Sequence, residues 1–152
     1  MELKFFTDGS CKGNGKDNAP GGWAFILALG FDKKSIIYYE NGKEENTTNN
    51  KMEMTAIIKS LEFINKYPED IKNFEGVRIY TDSAYLHNCY LQKWYLNWER
   101  NGWKTAGKKP VKNKELWEKI IPYFKNNFYH FEKVKGHSDC EINNFADYLA
   151  TM

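Results

Sequence analysis

The stretch Phe5-Phe6-Thr7-Asp8-Gly9-Ser10-Cys11 begins as an apolar strand and then reaches a carboxylate followed by small residues. Together with Leu3, its phenylalanines predict a strand over residues 3–8. Burying an ionised aspartate in such a strand costs free energy unless a partner, for example a cation, compensates its charge. Asp8 is therefore a candidate site residue, although an aspartate at this place is also typical of a turn or a helix N-cap.

A second stretch, Val77-Arg78-Ile79-Tyr80-Thr81-Asp82-Ser83, repeats the same order of residue types. It predicts a strand over residues 76–82 that again ends in Thr-Asp. If the two strands pair in parallel, their carboxylates lie close together, at the usual place for a site in an open α/β sheet. The capping alternative stays open for either aspartate taken alone.

Length and composition indicate a globular chain of one domain. The chain has 152 residues, of which 41% are hydrophobic and 28% are charged. Its three cysteines, Cys11, Cys89 and Cys140, form no CxxC motif, which favours free thiols over disulfides or a zinc site. The sequence shows no signal peptide and no apolar run of membrane-spanning length. We therefore expect a single domain over residues 1–152 that is soluble and cytoplasmic, with no membrane partner.

The remaining strands follow from apolar runs between turn residues. Residues 9–21 predict a loop, and their Gly13-Asn14-Gly15 lacks the Lys-Ser/Thr of a phosphate-binding loop. Residues 23–29 and 35–39 predict a hairpin whose second strand ends at Asn41-Gly42. Residues 128–134 predict a last strand. The predicted fold is thus α/β, with a five-stranded mixed sheet whose first three strands are antiparallel and with helices packed on it.

The principal predicted helix follows Thr48 or Asn49 as its N-cap. Apolar residues then recur at helical spacing, namely Met54, Ile57, Ile58, Leu61 and Ile64. Glu53 lies in the first turn on the flank of this stripe, where it either approaches the sheet or simply complements the helix dipole. The segment 67–70 ends the helix. Further helices are predicted from Ser83 to about Cys89, over residues 114–125 and over residues 141–151.

Residues 93–119 differ from the rest of the chain in charge and in aromatic content. They contain eight Lys or Arg and three Asp or Glu, a local charge of +5 in a chain of +2. Four of the five tryptophans lie here: Trp94, Trp98, Trp103 and Trp117. Basic residues between aromatic ones are typical of a surface that binds a nucleic-acid backbone and stacks on bases. The alternative is a helix with tryptophans in the core and lysines in solvent.

Four separated carboxylates stand at strand ends or on helices: Asp8, Glu53, Asp82 and Asp147. A histidine, His137, lies in the Gly-His-Ser loop before the last helix. Carboxylates without Cys or His ligands suit hard cations such as Mg²⁺ or Mn²⁺ rather than zinc.

In their order and surroundings, these residues resemble type 1 ribonuclease H, the family that cuts the RNA strand of an RNA–DNA hybrid. The resemblance extends from residue 4 to residue 150, and the segment from Trp103 to Asn113 looks like the basic protrusion of bacterial members. The matching motifs are Thr7-Asp8-Gly9-Ser10, Thr47-Thr48-Asn49-Asn50-Lys51-Met52-Glu53, Tyr80-Thr81-Asp82-Ser83, Val134-Lys135-Gly136-His137 and Asn143-x-x-x-Asp147-x-Leu149-Ala150.

The resemblance implies a metal-dependent endoribonuclease that leaves 3′-hydroxyl and 5′-phosphate ends. Asp8, Glu53, Asp82 and Asp147 would hold two Mg²⁺ ions, for which Mn²⁺ substitutes. Asp8 would bridge the ions, Asp147 would serve the ion that activates water, and Glu53 and Asp82 would serve the ion at the leaving oxygen. His137 would assist proton transfer or product release.

The same resemblance implies a set of residues that bind the RNA–DNA hybrid and a protein that acts as a monomer. Asn14, Asn49 and Asn50 would lie at the minor groove, where RNA exposes its 2′-hydroxyls. Thr48 and Asn113 would bind a phosphate of the DNA strand, and Trp94 would flank that strand. Lys104, Lys108 and Lys109 belong to the basic protrusion, whereas Trp98 and Trp103 are expected to pack.

Two rival functions stay open at the level of the sequence. A non-catalytic module of the same fold would bind hybrids without cutting them. A DNA nuclease or integrase of the same general fold would cut duplex DNA. The complete set of four carboxylates favours catalysis, since a binding module has no need to keep like charges together.

Overall fold

A mixed five-stranded sheet forms the centre of the structure, a computed structural model that describes residues 1–14, 16, 18–134 and 140–152. The strand order is β3-β2-β1-β4-β5. β2 is antiparallel to both β1 and β3, while β4 is parallel to β1 and to β5. The predicted sheet is thereby confirmed. The strands are β1 (Glu2–Cys11), β2 (Gly21–Ala28), β3 (Ile36–Glu44), β4 (Gly76–Thr81) and β5 (Tyr129–Lys133).

Helices cover both faces of the sheet. Within the described residues they are α1 (Asn49–Ile64), α2 (Pro68–Ile71), α3 (Ala84–Gln92), α4 (Trp94–Asn101), α5 (Lys114–Phe124) and α6 (Glu141–Thr151). None of the helices in these described ranges is long and apolar enough to cross a membrane. Thr48 is the N-cap of α1, as predicted, and its hydroxyl accepts a hydrogen bond from the Lys51 N–H at 3.2 Å.

The sheet separates two apolar cores because neighbouring residues of a strand point to opposite faces. Phe5 belongs to the larger core, which includes buried residues of α1, α3, α4 and α5. Phe6, the next residue, belongs to the smaller core under α6, together with Ile26 and Ala146. β1 therefore contributes a large aromatic side chain to each of the two cores, and helices pack on it from both faces of the sheet.

Two predicted strand ends are wrong, because both strands continue through residues that favour turns. β1 extends to Cys11, since Gly9 and Ser10 continue the antiparallel pairing with β2. β3 likewise continues through Gly42, which is paired with Trp23 on β2. A Cβ at Gly42 would lie 2.6 Å from the Trp23 ring, so glycine leaves room here for the indole.

The prediction for residues 67–70 is also wrong, because α1 already ends at Ile64 and Pro68 opens the short helix α2. Proline suits this position, since its missing N–H is not needed in a first helical turn. The predicted helices over residues 114–125 and 141–151 are confirmed as α5 and α6. The predicted Gly-His-Ser loop lies outside the described residues.

Candidate active site

The parallel register of β1 and β4 brings the two Thr-Asp stretches together. The last paired residues are Phe6 and Tyr80, so Asp8 and Asp82 each follow two residues beyond the same pair. Asp8 is still within β1, whereas Asp82 comes directly after the end of β4. The two carboxylates therefore lie side by side where the two strands separate.

The threonine before each aspartate is buried and fixes the backbone next to it. The Thr7 hydroxyl donates to the Tyr80 carbonyl at 2.8 Å, which links β1 to β4 beyond their regular pairing. The Thr81 hydroxyl accepts from the Ser83 N–H at 3.1 Å. The Ser83 hydroxyl in turn caps α3 by accepting from the Leu86 N–H. Asp82 is thus held between a strand end and a helix cap.

Gly9 allows the first turn of α1 to lie directly against β1. A Cβ at Gly9 would lie 2.3 Å from the Glu53 nitrogen and 2.3 Å from the Met52 carbonyl carbon. No side chain fits in that space, so glycine is required for this close approach of two backbones. The approach brings Glu53 from the helix layer to the strand position next to Asp8.

Asp8, Glu53 and Asp82 form a carboxylate cluster in which one oxygen of each side chain lies within 4.8 Å of the others. Asp8 is 5% exposed and Glu53 is 8% exposed, whereas Asp82 is open to solvent. The buried Oε2 of Glu53 has no hydrogen-bond partner among the described residues. Several carboxylate oxygens, one of them buried and unpaired, are the donor set that a hard divalent cation requires.

Burial and mutual repulsion shift the acidity of the two buried carboxyls. Burial is the main cause that raises the pKa of Asp8 to about 8, and the charges of Asp82 and Asp147 raise it further. Burial likewise raises the pKa of Glu53 well above its usual range, with the charge of Asp82 as the next cause. The Gly9 backbone opposes both shifts by hydrogen bonding. A cation bound here would remove the repulsion and favour the ionised forms.

Asp147 joins this cluster from the opposite face of the sheet. It lies on α6, which packs on β1 and β2, and its side chain is exposed. Its carboxyl interacts with that of Asp8 by hydrogen bonding and by charge repulsion, both of which raise the pKa of Asp8. The structure thus brings together all four carboxylates of the predicted set, from β1, α1, α6 and the end of β4. His137 lies outside the described residues.

Several residues predicted to bind substrate line one groove beside the carboxylates. The groove is lined by Asn14, Thr48, Asn49, Asn50, Lys51, Lys112, Asn113 and Glu115. The Asn14 side-chain oxygen accepts from the Asn49 N–H at 3.0 Å, which ties the loop after β1 to the start of α1. Asn49 and Asn50 also border the cavity that contains Glu53 and Asp82. The amide groove therefore opens directly onto the carboxylate cluster.

A second groove lies between α3, α4 and the basic segment. It is lined by Tyr85, Trp94, Asn97, Trp98, Arg100, Asn101, Lys104, Thr105 and Ala106. Lys108 and Lys109 are exposed in the loop that is closed by the bridge between Lys104 and Pro110. This groove combines aromatic rings with cationic side chains.

The tryptophans of the basic segment differ in their environments. Trp98 is buried in the larger core, and Trp103 packs against it with ring centroids 5.8 Å apart, as predicted for both. Trp94 is partly exposed and its indole N–H donates to the Gln92 side chain at 2.9 Å. Trp117 is fully buried. The aromatic content of this segment therefore serves the core more than the surface.

The sequence-based set of site residues omits several residues at these surfaces, among them Gly9, Tyr85 and Lys112. Gly9 lies in the segment predicted as a loop, and its role depends on a helix more than forty residues away, which no local pattern reveals. Tyr85 borders both the carboxylate cavity and the groove at Trp94, yet an aromatic residue early in a helix is equally typical of a core position. Lys112 could have been found from its neighbour Asn113 in the basic run.

The chain belongs to the RNase H family, whose family model matches residues 1–152. Ribonuclease H of Clostridium botulinum strain Hall is 46% identical over 145 residues, which covers 95% of this chain and 90% of the relative. The crystal structure of LC9-RNase H1, a type 1 RNase H with the type 2 active-site motif, is similar with a TM-score of 0.75 and 26% identity, covering 98% of this chain and 70% of that one.

The fold is also that of LC11-RNase H1, which was solved in complex with an RNA/DNA hybrid. The two chains are 22% identical, with a TM-score of 0.66, and the similarity covers 99% of this chain and 94% of the other. At this identity the similarity establishes a shared fold.

Proposed function

We propose that this protein is a divalent-metal-dependent endoribonuclease that hydrolyses the RNA strand of RNA–DNA hybrids and leaves 3′-hydroxyl and 5′-phosphate ends. The observation that carries the proposal is the convergence of Asp8, Glu53 and Asp82, whose ligand oxygens lie within 4.8 Å of one another. Membership of the RNase H family supports the reaction class, and the hybrid bound by LC11-RNase H1 supports the substrate class.

Asp8, Glu53, Asp82 and Asp147 would together hold two Mg²⁺ ions, with Mn²⁺ able to replace them. Such ions supply activation of water and stabilisation of charge at the leaving 3′ oxygen. The buried Asp8 and Glu53 provide ligand oxygens in a site of low polarity, where a cation restores their ionisation. His137, which follows β5 by a few residues, would move a proton or assist release of the product.

The amide groove fits the minor groove of a hybrid. Asn14, Asn49 and Asn50 present amides beside the carboxylates, where amides can contact base edges and 2′-hydroxyls without a requirement for sequence. Thr48 and Asn113 line the same groove and would bind a phosphate of the DNA strand.

The groove at Trp94 would receive the DNA strand further along the hybrid. The strand would lie between Trp94 and the exposed basic loop with Lys104, Lys108 and Lys109. Such a surface neutralises phosphates, so binding should weaken as salt concentration rises. We further propose that the chain acts as one domain, as a monomer and in the cytoplasm.

Incubation of the protein with labelled RNA–DNA hybrid, duplex DNA and duplex RNA, each with Mg²⁺ and with EDTA, tests this proposal. We expect cleavage of the RNA in the hybrid alone, and only with metal. Asp8→Asn and Asp82→Asn should each lower the rate by about three orders of magnitude or more, because each removes a ligand charge from the reacting centre.

A matched control is Asp70→Asn, an exposed aspartate on α2 that should leave the cleavage rate unchanged. Tight binding of the hybrid without any cleavage would instead identify a binding module. Cleavage of duplex DNA at a comparable rate would identify a DNA nuclease. Undiminished turnover in either variant of the cluster would overturn the assignment of these carboxylates.

A further inference from the structure

The last turn of α6 is held by side chains of two strands and by a glycine of the strand between them. The Ser10 hydroxyl of β1 donates to the Ala150 carbonyl at 3.2 Å. The Asn41 side-chain amide of β3 donates to the Leu149 carbonyl at 3.4 Å. On β2, between them, a Cβ at Gly22 would lie 2.1 Å from the Ala150 oxygen.

These contacts satisfy carbonyls that an α-helix leaves without partners at its C-terminal end. They also link the helix to the segment of sheet that carries Asp8. Asn41 and Asp8 share one row of cross-strand partners through Ala24, and Ser10 is paired with Gly22 two rows further along β1. Any shift of the last turn of α6 relative to these rows is therefore a shift relative to Asp8.

We propose that Ser10, Gly22 and Asn41 form a clamp that positions Asp147 beside Asp8. The proposal rests on the function proposed above, and it names positioning residues for the same site. Asp147 lies less than one turn before the clamped carbonyls of Leu149 and Ala150. A fixed last turn thereby fixes the position of the Asp147 carboxyl relative to Asp8 on β1.

Apolar packing alone does not provide this precision. The buried residues of α6 that meet the sheet are Ile142, Ala146, Leu149 and Ala150, and Phe145 packs beside them. Contacts of this kind are non-directional, so they tolerate small sliding and rotation of a helix. Two hydrogen bonds fix the position of the last turn of α6, and so does the contact at Gly22, which leaves no room for a Cβ. A misplacement of about 1 Å is enough to slow catalysis severely.

Comparison of Ser10→Ala with Ser60→Ala tests the clamp. Ser60 is the matched control, because its buried hydroxyl donates to the Ala56 carbonyl at 2.9 Å within α1 and has no contact with α6. For Ser10→Ala we expect kcat on the hybrid to fall about three- to tenfold, with KM changed less than about twofold. Ser60→Ala should leave both constants unchanged, and Ser10→Thr, which keeps the hydroxyl, should restore kcat.

The affinity for Mn²⁺, measured from the electron paramagnetic resonance signal of the free ion, tests the site without any need for turnover. Ser10→Ala should weaken binding about three- to tenfold in the wild-type background and should have no effect in an Asp147→Asn background. The same pattern is expected for Asn41→Ala, which serves if Ser10→Ala does not fold.

Equal effects of Ser10→Ala and Ser60→Ala, or an effect of Ser10→Ala that persists without Asp147, would overturn the clamp. A wild-type protein that does not cut hybrids would overturn the proposed function instead. Because the Mn²⁺ measurement does not depend on cleavage, the two failures are distinguishable.

Discussion

The two Thr-Asp stretches of this chain begin alike and end differently. Each places a buried threonine and an aspartate after a run of apolar strand residues, and the parallel register sets them side by side. Asp8 nevertheless stays inside its strand and is buried, whereas Asp82 lies beyond its strand and is exposed. Neighbouring strands and helices, rather than the motif itself, decide the environment of each carboxylate.

The difference arises from the residue that follows each aspartate. Gly9 continues β1 because it pairs with Trp23 on β2 and because α1 covers it closely. The Ser83 hydroxyl instead caps α3 by accepting a hydrogen bond from the Leu86 N–H in the first turn, so the chain leaves the sheet. One carboxylate is thus a buried ligand with a raised pKa, and the other can move toward a cation from the solvent side.

Gly9→Ala should produce the largest effect on this comparison. The added methyl group would collide with the backbone of α1 at Glu53, so the helix must move away from β1. We expect a loss of about 1–3 kcal/mol in the free energy of unfolding, as for other overpacked sites, together with a drop of about 100-fold in kcat. Urea unfolding and hybrid cleavage measure the two quantities.

Gly107→Ala is the control, because its Cβ would meet only the Thr105 hydroxyl at 3.9 Å. It should change neither quantity by much. A Gly9→Ala protein with wild-type stability would contradict the close approach of α1 and β1.

The raised pKa of Asp8 predicts the next largest effect, a loss of metal-free stability as pH rises. The folded protein holds the Asp8 proton up to about pH 8, whereas the unfolded chain releases it near 3.8. The unfolding free energy should therefore fall between these pH values. In EDTA at pH 8, Asp8→Asn should be more stable than wild type by about 1–3 kcal/mol, and the difference should vanish near pH 4.

Asp82→Asn sharpens this comparison, because it removes a charge that repels Asp8 without removing a buried carboxyl. Its gain in stability at pH 8 should be smaller than that of Asp8→Asn, and Asp70→Asn should show none. Urea unfolding at both pH values provides the data. Equal gains in unfolding free energy for Asp8→Asn and Asp82→Asn would contradict a larger contribution from the buried carboxyl than from the exposed one.

The smallest effect is expected at Ser83, the residue that follows Asp82 in the second stretch. Ser83→Ala removes the N-cap of α3 and should lower the unfolding free energy by about 1 kcal/mol. Ser83→Thr, which keeps the hydroxyl, should retain most of this stability. In contrast to Ser10→Ala, Ser83→Ala should have the same effect on Mn²⁺ affinity whether or not Asp147 is present. An effect that depends on Asp147 would contradict the view that Ser83 acts only as a local cap. Thermal unfolding and Mn²⁺ titration check both points.

The sequence predicts the sheet and the principal helices well, because these elements have strong local signals. The alternation at Phe5 and Phe6, the apolar stripe of α1 and the cap at Thr48 each follow from a few neighbouring residues. The four carboxylates stand out because their motifs resemble those of type 1 ribonuclease H, which implies that they share one site. Their convergence in the structure is consistent with that expectation.

The strand ends and the close backbone contacts could not be predicted, because they depend on residues distant in sequence. From the sequence, Gly42 is typical of a turn and Gly9 is typical of a loop. Only the structure shows that the Trp23 ring packs against Gly42 and that the backbone of α1 packs against Gly9. Ser10 and Asn41 carry no local signal at all, since their partners are carbonyls of the last helix. Long-range packing overrides local preference at each of these positions.

The clamped last helix also has a consequence for the order in which the protein becomes active. Asp8 lies in the first strand and Asp147 in the last helix, so the centre joins the two ends of the chain. Contacts between residues so far apart in sequence close loops of nearly the full chain length and are expected to form slowly. We therefore expect the contact between Asp8 and Asp147 to form late in folding, so that the set of four carboxylates is complete only after α6 has packed on the sheet.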